Sequence, residues 1–156
     1  METTILTAQA FLEHWQGHRG LTRRVIEAFP EDKLFTFSIG GMRPFAGLAL
    51  EMIGMGQQGI RWAATGEWSA NPADAVAPST KQALLDRWDE TTRIIGDWWP
   101  KIAPERFDEV DKVFNAYETT IRGALLYFMD NEVHHRGQGY VYLRALGVEP
   151  PPFWDR

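Results

Sequence analysis

One long helical period closes the sequence, and its two ends are marked chemically. From Thr119 or Thr120 the apolar positions run through Leu125, Phe128, Val141 and Leu146, with His135 among them, to Gly147. A threonine hydroxyl can accept backbone N–H hydrogens of a first turn. Glycine at 147 allows a left-handed stop, and Pro150, Pro151 and Pro152 forbid continuation. The rest of the chain is expected to pack around this helix, with Phe153 and Trp154 folding back onto the surface. The segment 130–146 also holds the densest set of possible ligands. Asn131 and His135, one turn apart, share a helical face with Cβ atoms about 5 to 6 Å apart, which suits two ligands of one ion. His134 is turned about a quarter of the way round. Glu132 and Arg136 are spaced for an ion pair on another face, and Gln138 lies one turn beyond the histidines. The competing reading is that two adjacent histidines form a partly exposed polar edge.

Three further amphipathic helices precede it. Ala10, Phe11, Trp15, Leu21, Val25, Ile26 and Phe29 recur at helical spacing, with Thr7 as N-cap and Pro30 as the stop. Residues 30–43, ending in Ser-Ile-Gly-Gly-Met-Arg, form a connection with a tight turn. Pro44 suits the first turn of a second helix reaching about Thr65, through Phe45, Leu48, Met52, Met55 and Trp62. Gly47, Gly54, Gly56 and Gly59 interrupt it at about 0.8 to 1 kcal/mol each relative to alanine, so close approach of a neighbour is expected there. Residues 66–79 have no period and form a linker. Ser79 or Thr80 caps a third helix carrying Leu84, Leu85, Trp88, Ile95, Trp98 and Trp99 up to Pro100. Residues 100–118 read as irregular, with a short extended piece at 112–115.

The reading is an all-α four-helix bundle in a single domain, residues 1–156, long enough to bury a core without staples. With no cysteine there are no disulfides, thiolate sites or Cys nucleophiles, so any metal must be held by nitrogen and oxygen donors. A net charge of -5 with no basic cluster argues against nucleic acid. The chain lacks a signal peptide and any run of 18 apolar residues, which points to a cytoplasmic protein with no membrane partner. Seven tryptophans are many for this length and hint at an interface.

Glu51 interrupts the apolar stripe of the second helix between Leu48 and Met55, so a carboxylate there would point into the bundle, where an unpaired charge is costly. The alternative is a rotated helix in which Glu51 reaches water or pairs with an arginine. Glu51, Asn131 and His135 together would suit Zn, Mn, Fe or Ni with an open position for water, although an amide oxygen is a weak ligand. His14 and His18 are a rival pair on the first helix. Tyr140 and Tyr142 are placed to donate protons or to line a pocket. No nucleophile elbow, phosphate loop or His-Glu-x-x-His signature occurs.

The run His-His-Arg-Gly-Gln at 134–138, the ending Tyr-Leu-Arg-Ala-Leu-Gly-Val-Glu-Pro-Pro-Pro at 142–152 and the Gly-Gly-Met-Arg-Pro-Phe run at 40–45 closely resemble the DinB family of DNA-damage-inducible proteins, over almost the whole chain. The resemblance implies an up-down-down-up four-helix bundle with long connections, often a homodimer, and a divalent metal on three histidines. By position these fall on Glu51, Asn131 and His135, so a single histidine remains. Better understood relatives resemble transferases and isomerases that use low-molecular-weight thiols such as bacillithiol or mycothiol. Two functions are therefore expected as rivals. One is a metal-assisted thiol S-transferase or hydrolase with a degenerate site. The other is a non-catalytic bundle that has lost the metal and binds a small apolar ligand or a protein partner. A homodimer is expected through helix faces bearing some of Trp62, Trp88, Trp98 and Trp99.

Overall fold

A computed structural model describes residues 4–70 and 76–156. Helix α1 spans Ala8–Ala28, with the Thr7 hydroxyl accepting from Ala10 N. A short α2, Glu31–Thr36, follows Pro30, and α3 spans Phe45–Thr65. Helix α4 spans Lys81–Trp98 behind a Thr80 cap, and two 3-10 turns, Trp99–Lys101 and Pro104–Asp108, continue from it. An antiparallel hairpin, β1 Val110–Val113 and β2 Tyr117–Thr120, leads into α5, Ile121–Ala145, capped by Thr120. Val110 pairs with Thr120 and Val113 with Tyr117.

The four long helices agree with the sequence reading and two details do not. The connection expected across 30–43 contains α2, and the extended piece expected at 112–115 is part of a hairpin running from Val110 to Thr120, whose turn places Phe114 and Asn115 at φ 56° and 54°. A phenylalanine in that region is costly. Its ring is held 4.7 Å from Trp68, 6.0 Å from Phe128 and 6.2 Å from Tyr127. Of the linker expected at 66–79, residues 71–75 lie outside the described residues.

The four long helices form a four-cornered arrangement: α3 packs on α4 and α5, and α1 packs on the same two. Two apolar clusters result. One gathers Phe11, Trp15, Ile60, Trp62, Trp99, Leu125 and Phe128; the other gathers Val25, Phe29, Phe45, Met52, Trp88, Tyr142 and Leu143. Between them lies a layer of buried polar groups that includes His18, Arg19, Thr22, Gln57, Thr91, Glu132, His135 and Arg136. Of the four rings expected near a dimer face, Trp62, Trp88 and Trp99 are 0 %, 0 % and 6 % exposed in a single chain. Trp98 is half-buried under Lys101, whose ammonium lies 4.1 Å from the ring centroid.

Glycines set the spacing of α3 and α5. A Cβ on Gly59 would meet the Phe128 ring at 2.3 Å, and one on Gly139 would meet the Phe45 ring at 2.6 Å. Phe45 cannot retreat easily, being stacked on Phe29 at 4.9 Å. Gly47, by contrast, has its nearest neighbour at an ordinary 3.8 Å. Gly139→Ala is therefore expected to lose about 1 to 3 kcal/mol through overpacking, while Gly47→Ala gains up to about 1 kcal/mol from helix propensity. Urea unfolding of the two variants checks both signs.

Candidate functional site

The same close approach brings Glu51 of α3 to the Asn131 and His135 pair of α5. Asn131 Nδ2 donates to Glu51 Oε1 at 3.1 Å, and His135 Nε2 donates to the same oxygen at 2.9 Å. His135 Nδ1 lies 2.8 Å from Gln138 Oε1. All three residues singled out from the sequence therefore meet, with His135 buried and Glu51 and Asn131 partly so.

A fourth member, Arg43, was not identified from the sequence. Its Nη2 donates to Glu51 Oε2 at 2.5 Å. Gly40 and Gly41, at φ 60° and 76°, turn the chain just before it, and Met42 N bonds Ile39 O across that turn. The Tyr142 hydroxyl then holds the Arg43 carbonyl at 2.9 Å. Only the general alternative, that Glu51 pairs with an arginine, anticipated this partner; Arg43 itself lies in the loop before α3, outside any helical period. Burial pushes the Glu51 carboxyl up, but hydrogen bonds from His135, Arg43 and Asn131 with the Arg43 charge outweigh it and bring the pKa down to about 2.

The donor set was tested against a divalent ion. Both N–H groups facing Glu51 Oε1 present hydrogens rather than lone pairs, and the guanidinium of Arg43 already balances the carboxylate where a cation's charge would act. Among the described residues no three His, Cys, Asp or Glu side chains are grouped to hold an ion. As arranged, these residues do not fit a transition metal. One feature points the other way: Asn131 Oδ1 is buried with no hydrogen-bond partner.

The remaining candidates have other roles. Glu132 and Arg136 both turn toward α1 instead of forming the expected ion pair with each other. Glu132 Oε1 accepts from Thr22 Oγ1 at 2.7 Å, and its Oε2 lies 3.6 Å from Arg19 Nη1. Arg136 Nη2 meets His18 Nδ1 at 2.9 Å, and its Nη1 donates to Thr22 Oγ1 at 3.2 Å. A guanidinium only donates, and guanidinium nitrogens face both ring nitrogens of His18, since Arg156 Nη1 lies 3.0 Å from Nε2. His14 Nε2 lies 3.1 Å from the same Nε2, so the rival pair is engaged with guanidinium groups and with itself. His134 is exposed. Tyr140 donates to Pro151 O at 2.7 Å, so both tyrosine hydroxyls hold backbone. The tail does fold back through Asp155, paired with Arg24, and Arg156, 3.0 Å from His18, although Phe153 and Trp154 stay exposed.

A bundle of four long helices with a carboxylate of α3 facing an amide and an imidazole of α5 places this chain among helical bundles that carry polar side chains on facing helices. The sequence matches the DinB family over residues 1–155, and the chain belongs to that family. Its fold is similar to that of a DinB-like protein from Bacillus cereus ATCC 10987, with a TM-score of 0.75 at 16 % identity, covering 97 % of this chain and 99 % of that one. A DinB-like protein from Bacillus subtilis, YjoA, gives a TM-score of 0.75 at 20 % identity, covering 94 % and 97 %. No curated protein matches the sequence. Among the described residues, no helix is long and apolar enough to cross a membrane.

Proposed function

We propose that this DinB-family bundle has dispensed with a resident metal and acts by binding a small molecule rather than as a metalloenzyme. The observation that carries the reading is Arg43 on Glu51: the fixed cation stands where an ion's charge would be used, and the hydrogens of Asn131 and His135 complete the carboxylate's partners. The bundle course we assign is up-down-down-up. Its support is the first apolar cluster, which gathers the starts of α1 and α5 (Phe11, Trp15, Ile121, Leu125) with the ends of α3 and α4 (Ile60, Trp62, Ile94, Ile95) at one end of the bundle.

A second reading keeps Zn, Ni, Mn or Fe on Glu51, Asn131 and His135 in a thiol transferase or hydrolase. The partnerless Asn131 Oδ1 favours it, since a half-turn of the amide would aim an oxygen at Glu51's side of the site. Metal analysis and thermal shift on protein purified without a His tag separate the two. We expect no stoichiometric metal and no shift with any of the four ions. Glu51→His with Asn131→His should create a site absent from the parent, with a rise of about 5 °C or more at an ion concentration near 100 times Kd. One ion per parent chain, lost on His135→Ala, would overturn the first reading and establish the second.

A further inference from the structure

The molecule holds a second concavity that the polar site does not use. It lies at the end of the bundle where the segment before α1, the two 3-10 turns and the first turns of α5 converge, with a volume of about 580 Å³. Leu6, Phe11, Trp99, Phe107, Leu125 and Leu126 form its walls. Neither Glu51, Asn131 nor His135 lines it. We propose that this cavity binds an uncharged aromatic small molecule.

Size argues first. Small-molecule sites run from about 300 to 1,000 Å³ and are mostly apolar, whereas a stable protein partner covers roughly 1,200 to 2,000 Å² of surface. A space of about 580 Å³ fits the former. The walls argue for rings: Phe11 and Trp99 stack at 5.5 Å, and Phe107 tilts at 53° against Trp99 at 5.7 Å. Phe11 and Trp99 are 7 % and 6 % exposed, so they present edges rather than free faces, and a further ring gains edge contacts against them. Charge argues for neutrality. The charged residues of the lining are Asp108 and Arg122, already paired at 2.9 Å, so a ligand's charge would find its counter-ion occupied. Finally, apolar side chains stand uncovered around the mouth. Ile5 is 94 % exposed, Leu6 51 % and Leu126 39 %, and an apolar occupant would shield them.

The inference extends the binding reading above by naming a ligand class and a place. Its test leaves Glu51, Asn131 and His135 untouched, so either idea can fail alone. The full chain is titrated with the uncharged fluorophore N-phenyl-1-naphthylamine and, in parallel, with the sulfonated 1-anilinonaphthalene-8-sulfonate. We expect saturable one-to-one binding of the uncharged probe, quenching of tryptophan fluorescence through Trp99, and at least tenfold weaker binding of the sulfonate. Leu126→Trp should fill the cavity, and Leu6→Glu should place a carboxylate at its mouth. Both positions are half-exposed, so each variant should keep the parental Tm while raising Kd at least tenfold. Tyr127→Ala, in the wall of a separate cavity of about 400 Å³ beside the hairpin, should leave Kd unchanged. Absence of saturation, equal affinity for the sulfonate, or unchanged binding in both Leu variants would overturn the proposal. So would loss of binding in Tyr127→Ala alone.

Discussion

Glu132→Ala is expected to be the most damaging single substitution in the bundle, lowering stability by about 3 to 5 kcal/mol. Glu132 is 2 % exposed and faces Arg19, which is 1 % exposed. Arg19 is held by Thr92 Oγ1 at 3.0 Å and Trp88 O at 3.1 Å, with its guanidinium 3.5 Å from the Trp88 ring centroid. Burial lowers its pKa to about 10, and Glu132 works in the opposite direction. Removing that carboxylate strands Arg19 and Arg136 as buried cations and leaves the Thr22 hydroxyl with His18 O and Arg136 Nη1 as its partners. For a chain of this length the loss corresponds to a fall in Tm of about 10 °C. The joint replacement Glu132→Leu with Arg19→Met should cost far less, because both desolvated charges leave together. Urea unfolding of the single and joint variants is the measurement. A cost below about 1 kcal/mol for Glu132→Ala would show that the network does not hold α1, α4 and α5 in register. The consequence reaches the functional site: Glu132 fixes the rotation of α5 about its axis, and that rotation aims the adjacent Asn131 and His135 at α3.

The helices were legible because their ends are made by local chemistry. Thr7, Thr80, Thr120, Pro30, Pro44 and Gly147 each act within one turn of their own position, so their effect is written in the adjacent sequence. Helix α2 was hidden because Glu31–Thr36 covers fewer than two turns, too little for a period to show. The hairpin was hidden because its strands are four residues long and its turn uses Phe-Asn where Asn-Gly would announce one. Glu51, Asn131 and His135 could be linked since each breaks an apolar stripe or shares a face within its own helix. Arg43 and Arg19 could not. One sits in a loop whose path depends on the Gly40 and Gly41 turn, and the other reaches Glu132 across 113 positions of chain. Tryptophan count could not place the rings for a related reason: composition records how many large rings exist, not that Trp15, Trp62 and Trp88 are fully enclosed on either side of a polar layer.

That polar layer should make the acid titration fall in two separate steps. His18 is 6 % exposed, and burial, then the charges of Arg136, His14 and Arg156, bring its pKa down from 6.5 to about 4. Between those values the unfolded chain takes up a proton that the folded ring refuses. Stability is therefore fully present above pH 6.5, falls as pH drops through about 4, and levels off below. Glu51 gives the second step. Its ordinary value of 4.5 is brought to about 2, so the contribution present above pH 4.5 is lost as pH falls toward 2. Each pKa unit is worth about 1.36 kcal/mol. Allowing for the 28 % exposure of the Glu51 side chain, we expect about 2 to 3 kcal/mol from each step. Asp32, Glu90 and Asp111, whose pKa values are also lowered by basic partners, add only weakly to the second because they are close to solvent. Urea unfolding free energies measured from pH 7 to pH 2.5 should show the two falls. His18→Gln should remove the upper one and leave the lower, because the glutamine oxygen can still accept from Arg136 without titrating. Glu51→Gln should do the reverse. A stability curve that is flat between pH 6.5 and 4 in the parent, or an upper fall that survives intact in His18→Gln, would mean that the Arg136 guanidinium does not hold the ring neutral and that His18 is open to protonation after all.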